Sequence, residues 1–237
     1  MYRIDSEPPV DLSYRLRGSP VSTHVLPKPR LRGWLHALAV PVALVGAVML
    51  WRSATDLDAG GRATALVFGA SLVGLYSVSS LYHVPSWSAR ARRILSRCDG
   101  AMIQIMIAGT FTPIAFHTLT GTWRVASLVV AWSVAFVGAG IALSPLEAPR
   151  WLGTLASAST GWLLVVPLAK IMTALPWQGN GLILLGGALY TIGAIVYGMR
   201  RPNPIPGWFG FHEVFHVFVV AASTAHYLAI WRYVLPG

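Results

Sequence analysis

Five side chains in this sequence have the types and spacing of a metal centre: His83, His212 and His216, with Asp99 and Ser79. His212 and His216 are four residues apart. On a helix that places them about 40° apart around the axis and about 6 Å apart along it, so both imidazoles reach one ion. Ser79 and His83 repeat the spacing. Three neutral imidazoles with a fourth position left to water make the donor set of a catalytic zinc site. There the ion polarises a carbonyl and lowers the pKa of water towards about 7. Imidazole also accepts other divalent ions. Beside such an ion Asp99 would accept the proton of the water, and Ser79 would hydrogen-bond either partner.

The elements that must position these residues are membrane helices. Of 237 residues, 55% are hydrophobic and 11% charged, against roughly 25% charged in a soluble domain. A span takes roughly 20 mainly apolar residues to cross about 30 Å of hydrocarbon. Seven such stretches occur: Gly33 to Trp51, Ala63 to His83, Gly100 to Leu119, Val125 to Leu143, Leu152 to Met172, Leu182 to Met199, and Phe211 to Val234. Trp34, Trp51, Trp87, Trp123, Trp151, Trp177, Trp208 and Trp231 fall at or near their ends, where indole favours the headgroup level, and only Trp132 and Trp162 lie inside. The net charge of +10 comes from basic residues between apolar runs, so no stripe for nucleic acid exists. The lone Cys98 forms no internal disulfide.

The expected fold is all-α: a seven-helix integral membrane bundle of the plasma membrane, residues 32–237, behind a flexible cytoplasmic tail, residues 1–31. Thirteen Lys and Arg residues fall on the side of the N-terminus and five on the other, which puts the N-terminus in the cytoplasm and the C-terminus outside. That topology has a consequence for the five residues. Ser79 and His83 end a span running inwards, whereas Asp99, His212 and His216 begin spans running outwards, so all five converge on the cytoplasmic leaflet. Ionisable groups inside spans cost several kcal/mol unless paired, hydrated or metal-bound.

Other residues receive plainer readings. His36, His117 and His226 are expected to be hydrogen-bonded interior residues, and Cys98 to lie beside the site without binding metal. Glu213 projects about 100° from His212 and should orient or pack. The run Arg90, Arg92, Arg93, Arg97 is a topology signal that also attracts anionic lipid. Gly69, Gly74, Gly138, Gly140, Gly186, Gly187 and Gly193 offer small surfaces for close helix approach. Pro41, Pro113 and Pro167 should kink their helices, with Thr110 and Thr112 satisfying carbonyls freed near Pro113.

The motifs Ser79-Ser-Leu-Tyr-His83, Cys98-Asp99-Gly100 and His212-Glu-Val-Phe-His216 with His226-Tyr227, in this order, resemble those of the hemolysin III family. That family lies within the progestin and adipoQ receptor superfamily, which includes the adiponectin receptors and is related to alkaline ceramidases. The resemblance implies zinc held by His83, His212 and His216, with Asp99 and Ser79 beside it, and hydrolysis of a lipid amide as the chemistry. Three functions follow as expectations. The first is a zinc-dependent hydrolase whose substrate is a membrane lipid entering among the helices. The second is a non-enzymatic regulator of membrane homeostasis, or a cytolysin, with a structural zinc. The third is an intramembrane metalloprotease, since His212-Glu213-Val-Phe-His216 also fits H-E-x-x-H with a glutamate base.

Overall fold

The structure, a computed structural model, describes residues 28–145, 157–162 and 165–235. Its elements are helices: α1 (Trp34–Ser53), α2 (Ala59–His83), α3 (Ala89–Thr118), α4 (Gly121–Leu143), α5 (Leu168–Ala174), α6 (Trp177–Met199) and α7 (Phe211–Ala229), the last continued by a π-helical turn, Ile230–Val234. Among the described residues, six helices are long and apolar enough to cross a membrane. The protein is thus a multi-pass helical membrane protein. Of the fifth expected span, residues 157–162 are helical and α5 follows, while the remainder lies partly outside the described residues, as do the tail to residue 27, Arg150 and Trp151.

Capping accounts for several boundaries. Asp58 accepts a hydrogen bond from the Gly61 amide at 2.7 Å and so starts α2. Ser88 does the same for Ala91 and starts α3 before the Arg-rich run, so α3 begins at Ala89, well ahead of the apolar stretch at Gly100. That run is the first turns of a helix. Pro41 and Pro113 lie inside α1 and α3, but Pro167 precedes α5 as its N-cap, where its missing N–H costs nothing. The hydroxyls of Thr110 and Thr112 bond the carbonyls of Met106 and Ala108. The carbonyl left without an amide by Pro113 is that of Gly109, so neither threonine relieves it.

Helices α2 and α3 form the centre, with Phe68, Leu72, Leu75, Tyr76, Met106 and Phe111 buried between neighbours. By contrast Leu38, Val42, Val45, Val129, Val137 and Ile195 on α1, α4 and α6 are well exposed. Apolar surface of that extent belongs in hydrocarbon. Helix α2 packs chiefly on α1 and α3, and α7 packs chiefly on α6. Small residues set the approaches: a side chain at Gly69 would press on Ala47, at Gly138 on Gln104 and at Gly193 on Phe218, whereas Gly140 and Gly187 face open space. Trp132 lies inside its span because its indole N–H donates to Thr112 Oγ1 at 3.0 Å.

Candidate metal centre

His83 is the last residue of α2, and His212 and His216 lie in the first two turns of α7. All three are buried. One nitrogen from each lies within 4.8 Å of the others. The Nε2 atoms of His83 and His212 are 3.1 Å apart. Two imidazole nitrogens that close need a proton or a cation between them. Zinc–nitrogen bonds of about 2.0–2.1 Å put tetrahedral ligands roughly 3.4 Å apart, so the donor set and its spacing fit a small divalent ion after minor adjustment.

The Asp99 carboxylate stands 3.6 Å from His83 Nε2 and is partly exposed. Ser79 is buried one turn before His83 on the same helix. Cys98 is a partly buried free thiol outside the three-histidine group. His117 Nε2 pairs with Thr64 Oγ1 at 3.2 Å, and His226 Nε2 donates to the Ile183 carbonyl at 3.1 Å. Both are the hydrogen-bonded interior histidines expected.

His36 is different. It is buried, neither of its ring nitrogens has a hydrogen-bond partner among the described residues, and its ring stacks on that of His216. Sequence spacing gave no hint of this, because His36 lies on the first helix with no i+4 partner. Tyr76 flanks it from α2 at 5.0 Å, with its hydroxyl hydrogen-bonded to Ser223 on α7.

The carboxylate of Glu213 is committed elsewhere. One oxygen pairs with Arg32 and the other accepts the Gly210 amide at 2.7 Å, capping α7. A carboxylate buried this deeply costs several kcal/mol unless paired. Arg32, which by sequence was one topology charge among many, supplies the partner. The residues before α1 are docked as well. Lys28 donates to the His83 carbonyl and, at 3.4 Å, to that of Val84, placing a cation at the C-terminus of α2. Partial burial, then Arg92 and Arg32, hold the Lys28 ammonium below the usual lysine pKa.

A family model described as haemolysin-III related matches residues 24–227, most of the chain and all five site residues. The chain belongs to the haemolysin III-related family. This haemolysin III-related protein is 31% identical over 167 residues to the "Hemolysin-3 homolog" of Bacillus subtilis (strain 168), covering 70% of this chain and 75% of that one. It is 24% identical over 204 residues to the human "Monocyte to macrophage differentiation factor", covering 84% and 82%. With the "Adiponectin receptor protein" of Drosophila melanogaster it shares 26% over 225 residues, covering 83% and 48%. The kinship with adiponectin receptors expected from the motifs is therefore present. Its three histidines, drawn from α2 and α7, are brought together, and Asp99 on α3 stands beside them.

Proposed function

We propose that this haemolysin III-related protein is a zinc-dependent hydrolase of membrane lipid amides, in the plasma membrane, with seven spans and a cytoplasmic N-terminus. The observation that carries the reading is the gathering of His83, His212 and His216 around one point with the Asp99 carboxylate 3.6 Å from His83. When bound, zinc would supply Lewis acidity towards a carbonyl and a lowered pKa for water. The three imidazoles would hold the ion and leave a position open to solvent or substrate. Asp99 would orient a water and accept its proton, then return that proton to the departing amine. Ser79 would donate a hydrogen bond to the carboxylate or to the substrate oxygen. The exposed apolar faces of α1, α4 and α6 suit a lipid substrate that arrives through the bilayer.

The test is release of fatty acid from a lipid amide by purified protein. A chelator should stop it and added zinc should restore it. Undiminished turnover by rigorously metal-free protein would overturn the reading.

A structural zinc is the second reading. It is favoured by the fact that His83 and His212 come from helices whose main packing partners are others, so an ion would tie α2 to α7. Under it the protein would act on membrane state without turnover, in keeping with the name of its hemolysin relatives. A chain that binds zinc stoichiometrically and hydrolyses no lipid would favour this second reading. The protease reading loses its base, because both Glu213 oxygens are engaged.

A further inference from the structure

The stretch from Lys28 to His36 crosses the end of the bundle where the imidazoles meet, and it touches both helices that furnish them. Its backbone is fixed first. The amides of Arg30 and Leu31 donate to the carbonyls of Gly207 and Trp208 at 3.0 and 3.2 Å, and the Arg30 guanidinium lies 4.4 Å over the Trp208 ring. Lys28 fastens the same stretch to the C-terminal carbonyl of His83. Arg32 is therefore presented from a frame already anchored to α2 and to the loop entering α7.

From that frame Arg32 reaches Glu213, which stands in the chain between His212 and His216 and has a side chain only 1% exposed. The two carboxylate oxygens divide their work: one takes Arg32 and the other the Gly210 amide, so a single group joins the frame to the first turn of α7. Since α2 packs chiefly on α1 and α3, and α7 on α6, extensive α2–α7 packing does not set the separation of His83 from His212. The link through Arg32 and Glu213 is one of the few bridges towards α7 at this end, beside the Tyr76–Ser223 hydrogen bond and the His36–His216 stack.

We infer that Arg32 is a positioning residue of the metal centre, acting through Glu213 to hold His212 and His216 at the distance from His83 that one ion requires. This rests on the metal-binding part of the proposed function and is independent of turnover. An arginine suits the task because its charge is permanent and the Nε–H that meets Glu213 is fixed in a planar group.

The experiment uses the full chain in detergent, titrated with Co2+ and Zn2+ against a competing chelator, with the Co2+ ligand-field spectrum recorded at saturation. The variants are Arg32→Gln, Arg32→Lys, Glu213→Gln and the double variant Arg32→Gln/Glu213→Gln, each checked for helicity by circular dichroism. Loss of an outer partner of a metal ligand typically weakens binding roughly 10- to 100-fold. Arg32 stands one step further out, behind Glu213, so Arg32→Gln should lose roughly 10-fold, the lower end of that range, together with an altered Co2+ spectrum and retained helicity. Arg32→Lys should fall between it and wild type. The double variant should bind within a few-fold of Glu213→Gln alone, because the arginine then has nothing to act through. Wild-type affinity and spectrum in Arg32→Gln, or losses that multiply in the double variant, would overturn the assignment. If Arg32→Gln fails to fold, wild-type spectra in both Arg32→Lys and Glu213→Gln would overturn it equally. Failure of the wild-type chain to bind either ion would remove the metal reading itself, whereas equal binding by wild type and variants removes only the role of Arg32.

Discussion

The imidazole of His36 lies flat against that of His216, with ring centroids 3.9 Å apart and planes within 5° of parallel. This stack fixes the rotation of a ring that must aim a nitrogen at the site. Aromatic pairs contribute about 0.5–1.5 kcal/mol beyond their burial, which corresponds to roughly 2- to 13-fold in affinity. His36→Ala should weaken metal binding by that factor, and His36→Phe, which keeps a flat face, should restore most of it. A chelator competition titration reads both. Equal losses in the two variants would mean that the ring nitrogens matter and the stacking does not.

Replacing any one of His83, His212 or His216 by alanine removes a donor from a set of three. Metal content of the purified protein, measured by mass spectrometry after dialysis, should fall from one ion per chain to background. His117→Ala and His226→Ala should keep the ion, since those rings are spent on Thr64 and the Ile183 carbonyl.

Asp99 separates binding from chemistry. Asp99→Asn keeps the size of a side chain 3.6 Å from His83 but removes its basicity. Hydrolysis should fall roughly 10²- to 10⁴-fold, the range for loss of a general base, while metal content is retained. Loss of the ion from this variant would make Asp99 a ligand.

Gly33 carries a backbone φ of +84°, and a Cβ there would press on the Cβ of His83. Gly33→Ala meets both penalties, about 1–2 kcal/mol for the left-handed backbone and about 1–3 kcal/mol for overpacking. The thermal midpoint in detergent should drop, and metal should be bound more weakly because the displaced neighbour is His83. An unchanged midpoint would show that the turn before α1 relaxes freely.

Acid should strip the ion. Imidazole binds metal only when neutral, so protons compete with the ion for the three rings. Apparent affinity should therefore fall as the pH is lowered, with no more than three protons taken up per ion released, and an affinity independent of pH would count against imidazole ligands. A slope of one would indicate that a single histidine titrates on binding.

What the sequence revealed of this site was what periodicity and hydropathy encode. The i, i+4 pair His212 and His216, the end-of-span position of His83, and six long apolar helices of the seven expected are local or one-dimensional properties. His36 and Arg32 were illegible for the opposite reason. Each acts on a residue some 180 positions away, as in the 181-residue separation of Arg32 from Glu213, and no local pattern marks such a partner. Arg32 was further disguised by belonging to a basic tail whose count already served to orient the chain. Glu213 was read as a group that orients or packs, and its two oxygens are committed to Gly210 and Arg32. The threonines near Pro113 misled because their return bonds go one turn back from themselves, to Met106 and Ala108, and so bypass the carbonyl that proline leaves bare.

The order of the site's pieces along the chain bears on how the protein is made. Arg32, His83 and Asp99 leave the ribosome early, whereas His212, Glu213 and His216 arrive on the last described helix. A chain that has not yet reached α7 therefore holds Arg32 without Glu213 and His83 without the other two imidazoles, so the three-histidine set is complete only once α7 has been made. A nascent chain arrested before α7 should be recognised by membrane quality control as unfinished, however well its earlier helices are seated in lipid.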